Sequence, residues 1–165
     1  MKYLLSAVCC VALCSMPALG QAKMSDQQFV DFAAQTDMVE ANLGQLTQSA
    51  ASSQDVKDYG QMLTTDHTKD FGQLSDIAHQ NSLNMPDAID TAHNKAMIAP
   101  FQKLKGDAFD KRYIHEMVAG HTKAIAAYKK EAADAENPAL KSYAQEALPV
   151  LQKHLDQAKA LEKAK

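Results

Sequence analysis

The sequence is poor in several residue types that mark particular classes of protein. It has no tryptophan and only six glycines and five prolines among 165 residues, which disfavours a loop-rich all-β protein. Its single arginine, Arg112, and a formal net charge of −3 leave no basic stripe, so we expect neither nucleic acid nor an anionic membrane surface as a partner. The remaining composition, 46% hydrophobic and 22% charged, is typical of one globular domain.

Cysteine is confined to the first residues of the chain. Lys2 is followed by an apolar run from Tyr3 to Met16, which is shorter than the roughly 20 residues that cross a bilayer, and then by the small-residue segment 17–22. This layout predicts a secretory signal peptide over residues 1–22, cleaved after Gly20 or Ala22. The exported chain would then have no transmembrane span and would lie in the periplasm or cell envelope.

The position of the cysteines limits the chemistry of the exported chain. Cys9, Cys10 and Cys14 all lie inside the removable segment, so residues 23–165 would contain no disulfide and no thiolate metal ligand. Anchoring as a lipoprotein through Cys14 is the alternative. It is disfavoured because the bulky Leu13 stands where a small residue is required.

The exported chain has helical periodicity throughout. Apolar residues recur at helical spacing over four long segments, about 25–49, 52–81, 107–136 and 138–164, and a shorter helix is expected between Pro86 and Ala99. Ser25 is a candidate N-cap, and Ser52 with Asp55 has the spacing of a capping box. Pro149 predicts a kink inside the last helix. Long helices with one apolar stripe predict an all-α four-helix bundle, a single domain with a short extra helix between the second and third long helices.

Each long helix carries one polar, metal-capable side chain on its apolar stripe: Glu40, His67, His121 and His154. One interpretation is a buried hydrogen-bonded network that fixes how the helices align. The other is a site for a transition metal ion such as zinc, copper, iron or nickel, because imidazole and carboxylate groups bind these ions and bundle cores can hold them. Both interpretations predict that the four side chains are buried.

Other polar residues are assigned more modest roles. Asp66, Asp70 and Glu116 are candidate partners for the ring nitrogens of the stripe histidines. His79, His93 and His115 are expected at the surface. The chain has no Glu-x-x-His motif, so the di-iron oxidase pattern is missing, and it has no Gly-x-Ser-x-Gly or phosphate-binding loop. No catalytic residue is therefore assigned.

At these residues the chain resembles a family of exported bacterial proteins called domain of unknown function 4142, which are often labelled outer-membrane proteins. The resemblance implies a ferritin-like four-helix bundle and a periplasmic or envelope location, and it implies no established activity. The chain departs from the family pattern at His115, where an acidic or amide residue is expected. The matching stretches are Phe29-Val30, Glu40 with Leu43-Gly44, Val56 to His67, Phe109 to Tyr113, Val118 to His121, and Leu148 to Leu155.

Three functions remain open from the sequence. The first is a non-enzymatic, exported binding protein whose ligand is a small molecule or a metal ion held by Glu40, His67, His121 and His154. The second is a metal-dependent redox enzyme of the ferritin-like class. The third is an envelope or stress protein whose partner is another protein.

Overall fold

The chain folds into helices, as the periodicity predicts. A computed structural model describes residues 23–86 and 92–164, and this part of the chain contains helices and no strands. The predicted signal peptide and residues 87–91, where the short helix was expected to begin, lie outside the described residues. The helices are α1 (Asp26–Ala50), α2 (Gln54–Gln80), α3 (Ala92–Ile98), α4 (Gly106–Asp134) and α5 (Pro138–Lys163), and a 3-10 turn, Ala99–Phe101, follows α3.

Two of the predicted helix starts are explained by local hydrogen bonds. The Ser25 hydroxyl accepts a hydrogen bond from the Gln28 backbone N–H at 3.2 Å, and the Gln28 side chain accepts one from the Ser25 N–H at 2.9 Å. This reciprocal pair is a capping box with Gln in the third position. Asn137 caps α5 by accepting from the Ala139 N–H at 2.9 Å, with Pro138 in the first turn.

The predicted capping box between Ser52 and Asp55 is wrong. Ser53 is the N-cap of α2, and its side chain makes no capping bond. The carboxylate of Asp110, from α4, instead accepts hydrogen bonds from the backbone N–H groups of Ser52 and Ser53 at 3.2 and 3.0 Å. It also accepts from the Ser52 hydroxyl at 2.8 Å. A carboxylate from a neighbouring helix thus satisfies donors that local residues leave free.

Helix α5 continues through Pro149 as one helix from Pro138 to Lys163. The proline ring removes a single backbone donor, which packing of the rest of the helix can offset. The kink expected at this position stays a prediction.

The bundle consists of two tightly packed hairpins, α1 with α2 and α4 with α5. The first hairpin depends on two glycines that face each other. A Cβ atom on Gly44 would lie 2.5 Å from the Gly60 carbonyl oxygen, and one on Gly60 would clash with the Thr47 side chain. The glycines therefore allow the backbones of α1 and α2 to approach closely one turn beyond Glu40.

The core is divided into two apolar clusters with a polar layer between them. One, the Phe29 cluster, includes Leu74, Ala124 and Leu140, and the other, the Tyr113 cluster, includes Leu43, Leu63 and Met117. Along α2, His67 lies between Leu63 and Leu74, and along α4, His121 lies between Met117 and Ala124. The four polar stripe residues are buried within this layer: Glu40, His67, His121 and His154.

Candidate metal centre

The polar side chains from all four long helices converge in the layer. One ring nitrogen from each of His67, His121 and His154 lies within 4.8 Å of the others. The Glu40 carboxylate joins them, with Oε2 2.9 Å from His67 Nε2 and 3.2 Å from His121 Nε2. The site is closed to solvent, since the relative exposures are 4% for Glu40, 2% for His67, 0% for His121 and 1% for His154.

In each of the three histidines, one ring nitrogen contacts an oxygen atom of another residue. His67 Nδ1 lies 2.8 Å from Asp37 Oδ1, and His154 Nε2 lies 2.9 Å from Asp66 Oδ2. His121 Nδ1 donates to the Met117 carbonyl at 2.9 Å, a contact within one turn of α4. These contacts fix the orientation of the three rings and commit one nitrogen of each, as the outer partners of metal-binding histidines do.

The other ring nitrogens have no hydrogen-bond partner. His67 Nε2, His121 Nε2, His154 Nδ1 and Glu40 Oε2 are all buried and without a properly directed hydrogen bond. Glu40 Oε2 nevertheless lies 2.9 Å from His67 Nε2 and 3.2 Å from His121 Nε2, so it forms ion-pair contacts with both rings. Buried polar atoms without partners are rare in proteins because each costs about 1–3 kcal/mol.

The charges in the layer are coupled. Burial acts to raise the pKa of Glu40, but the neighbouring His121 and His67 outweigh it and lower that pKa to about 2. Burial acts to lower the pKa of His67, yet Glu40 and Asp37 raise it well above its ordinary value. The negative charge of Glu40 is thus matched by a positive charge on His67, which is the charge that a metal ion would replace.

Two further groups have shifted pKa values. Burial lowers the pKa of His154 to about 4; the contact with Asp66 opposes this effect, and the nearby His67 and His121 add to it. Burial raises the pKa of Asp37 to about 7, against the opposing influence of His67. His154 is therefore neutral at physiological pH, so its free ring nitrogen carries a lone pair that can bind a cation.

The carboxylates expected to support the histidines have different partners in the structure. Asp66 contacts His154 instead of the neighbouring His67, and Asp70 accepts a hydrogen bond from the Tyr143 hydroxyl at 2.7 Å. Glu116 lies 3.6 Å from Arg112 in a partly exposed pair. The three remaining histidines are exposed, as the sequence predicts: His79, His93 and His115.

Asp37, the partner of His67, is not among the residues predicted from the sequence. The sequence does contain a signal for Asp37. It lies one helical turn before Glu40, and residues at this spacing share a face of the helix. Asp37 is 1% exposed, and a carboxylate is seldom buried without a partner. An acidic residue one turn from a stripe glutamate is therefore a candidate for the same polar layer.

The helices of the described part do not have membrane-spanning character. Within residues 23–86 and 92–164, none of them combines the length and the apolar composition that crossing a bilayer would require.

Comparison with known proteins gives a family and structural neighbours. The family model described as "Domain of unknown function (DUF4142)" matches residues 14–161. No curated protein matches the chain. The structure "CopM in the Cu(II)-bound form" superimposes with a TM-score of 0.71 at 13% identity, over 87% of this chain and 99% of that one. "CopM in the Cu(I)-bound form" gives 0.72 at 13% identity, over 86% and 97%. At this identity the likeness shows a shared helical fold.

Proposed function

We propose that this chain, which belongs to the family of domain of unknown function 4142, is an exported bundle protein that binds a copper ion. Its ligands would be Glu40 and one ring nitrogen each of His67, His121 and His154. Removal of residues 1–22 would leave a single domain over residues 23–165 in the periplasm or cell envelope.

The convergence of four buried side chains, one from each long helix, carries this proposal. A buried network that served only to align the helices would use its hydrogen-bonding groups on one another. Here the outward nitrogens of the rings are hydrogen-bonded, whereas the inner atoms make only the ion-pair contacts of Glu40 with His67 and His121, and His154 Nδ1 has no hydrogen-bond partner. A cation among them would satisfy all four atoms at once, and the ligand atoms would move to about 2.0–2.2 Å from it.

Copper is the metal that the ligand set favours. Three imidazoles and one carboxylate bind zinc, copper, iron and nickel, and among divalent first-row ions such sites hold Cu²⁺ most tightly. The fold shared with two copper-bound CopM structures points the same way.

The number of protein ligands favours binding over catalysis. Catalytic metal sites keep a coordination position open for water or substrate, whereas four protein ligands leave fewer positions open at the ion. A redox enzyme of the ferritin-like class is the alternative function. Oxygen or peroxide turnover by the copper-loaded protein would support it, and stoichiometric copper binding without turnover would support the binding protein.

The test is metal analysis of untagged protein purified from the periplasm, followed by Cu²⁺ titration of the metal-free form. We expect one copper per chain. His67→Ala and His121→Ala should abolish binding while the far-ultraviolet circular dichroism of the helices is retained. The exposed His79→Ala and His93→Ala are matched controls and should bind normally. Loss of binding in the controls, or retention in both core variants, would contradict the assignment of the ligands.

Export is tested separately by the intact mass of the periplasmic protein. We expect a chain that begins at Gln21 or Lys23 and contains no cysteine. A mass that retains residues 1–20, or that carries lipid on Cys14, would contradict it.

A further inference from the structure

The buried copper site needs a route from solvent, and the seams between the two hairpins provide two candidates. Helices α2 and α5 pack less extensively than the helices within each hairpin, and so do α1 and α4. A cavity of about 500 Å³, the α2–α5 cleft, is lined by Asp66, His67, Asp70, Tyr143, Glu146 and His154 among others. A second cavity of about 550 Å³, the α1–α4 cleft, lies at the other seam and is lined by Glu40, Met97, Glu116, Met117 and Gly120 among others.

The two clefts differ in which part of the site they reach. The α2–α5 cleft reaches two of the three histidines, His67 and His154. The buried Nδ1 of His154 has no hydrogen-bond partner, and Nε2 of His67 lies 2.9 Å from Glu40 Oε2. The α1–α4 cleft reaches only the Glu40 carboxylate. A cation in that cleft would meet no nitrogen of the three histidines before it had passed Glu40. The ligands are therefore more directly accessible from the α2–α5 side.

Asp66 connects the α2–α5 cleft to the site. Its side chain is 35% exposed, while that of His154, 2.9 Å away, is 1% exposed. A carboxylate that is both in contact with water and next to a ligand ring can bind a hydrated cation before the cation loses its water. The neighbouring Asp70 and Glu146 add two more carboxyl groups to the lining, against the one ammonium group of Lys69. Such a charge distribution raises the local concentration of cations.

We propose that copper enters and leaves the site through the α2–α5 cleft, with Asp66 as the first protein group that the ion contacts. This inference rests on the proposed copper site and adds the direction of access and the residue that controls it. The ion would pass from Asp66 to the inner ring nitrogens of His154 and His67, and then to His121 and Glu40 in the interior.

The test blocks each cleft in turn with a tryptophan. Ser142 and Val150 are exposed, uncharged residues that line the α2–α5 cleft, and Ala119 is an exposed residue that lines the α1–α4 cleft. Stopped-flow absorbance follows Cu²⁺ uptake by the full metal-free domain, and equilibrium titration gives the affinity of each variant. Circular dichroism verifies that each variant is folded. Two variants are made in the α2–α5 cleft so that one still tests the route if the other does not fold.

We expect Ser142→Trp and Val150→Trp to slow uptake about tenfold or more while the affinity stays within about twofold, since access changes rates and not the bound state. Ala119→Trp should leave the rate unchanged. Slowing by Ala119→Trp alone would place the route in the α1–α4 cleft. Equal rates in all variants would mean that the bundle opens to admit the ion, and either result would overturn the proposal.

The role of Asp66 is tested with a matched pair of neutral substitutions. Asp66→Asn should reduce the uptake rate about tenfold at low salt and less at high salt, because it removes the charge that attracts the cation. Glu116→Gln, in the α1–α4 cleft, should leave the uptake rate unchanged. An unchanged rate for Asp66→Asn would exclude Asp66 as the first contact. If the unsubstituted protein binds no copper at equilibrium, the proposed function itself fails, so the two failures are distinguishable.

Discussion

Asp37 and His67 form a buried pair from two helices, with Asp37 Oδ1 2.8 Å from His67 Nδ1 and both side chains at most 3% exposed. The contact commits Nδ1 of the ring to the carboxylate, so that Nε2 faces Glu40 and the other histidines. The pair therefore links the apolar packing of α1 against α2 to the orientation of a proposed copper ligand.

The first prediction concerns this pair. Asp37→Asn keeps the volume of the side chain but removes the charge that orients the ring and strengthens it as a ligand. We expect the copper affinity to fall about 10–100-fold, which is the usual effect of losing an outer partner of a metal-binding histidine. Equilibrium titration with Cu²⁺ measures it. The exposed Asp76→Asn on α2 is the control, and equal losses in both variants would show that Asp37 has no specific role.

The second prediction concerns the contact of α1 with α2. Gly60→Ala should destabilise the protein by about 1–3 kcal/mol, because its Cβ would clash with Thr47 and lie 2.9 Å from the Gly44 carbonyl oxygen. Gly72 is also in the middle of α2, but a Cβ there would meet nothing within 4 Å. Gly72→Ala should therefore stabilise the protein by about 1 kcal/mol. Urea unfolding measures both, and a shift of the same sign in the two variants would refute the close-packing explanation.

The third prediction concerns the start of α2. Asp110→Ala would remove the acceptor for two backbone N–H groups and the Ser52 hydroxyl, and should cost at least about 2 kcal/mol. Asp107 also accepts from the Ser52 hydroxyl, at 2.7 Å, but it is exposed, so Asp107→Ala should cost less than about 1 kcal/mol. Thermal unfolding of the two variants gives the comparison. Equal destabilisation would mean that the carboxylate of Asp110 does not cap α2.

The fourth prediction concerns pH. Burial raises the pKa of Glu131 to about 7, and the nearby Asp26 adds to this effect. Because this pKa is higher in the folded state than in the unfolded state, the folded state binds the proton more tightly. The contribution of Glu131 to stability is therefore present at low pH and lost as the pH rises from about 4.5 to above 7.

Glu131→Gln removes this titration. We expect the variant to gain stability relative to the unsubstituted protein between pH 5 and pH 8, as measured by urea unfolding at both values. The exposed Glu146→Gln should show no such gain. A difference between variant and parent that is the same at both pH values would contradict the raised pKa of Glu131.

Some features of this protein are encoded locally and can be read from the sequence, whereas others depend on packing. The long helices follow from the spacing of apolar residues, and the start of α1 at Ser25 follows from side chains within one turn. The burial of Glu40, His67, His121 and His154 is also predictable, because each stands on the stripe that a bundle must bury. Their convergence is not, because it depends on the depth of each residue along its helix. Periodicity defines the face of a helix on which a residue lies.

The contacts between helices were not predictable in this way. Whether Asp66 contacts His67 or His154 depends on the rotation of α2 against α5. Asp66 and its observed partner His154 are far apart in the chain. The same holds for Asp110, which caps a helix more than fifty residues earlier in the sequence, with separations of 57 and 58 residues. Local spacing predicts Asp55 as a capping residue of α2. Asp110 from α4 accepts hydrogen bonds at this helix start instead.

The distant origin of that cap has a consequence for how the protein folds. Ser52 and Ser53, which lead into α2, gain their acceptor only when α4 has docked, so the hairpin of α1 and α2 is incomplete as an isolated unit. The hairpin of α4 and α5 buries a carboxylate that needs the donors of the other hairpin. Each half thus supplies what the other lacks, and this mutual dependence favours one cooperative unfolding transition over the separate melting of two halves.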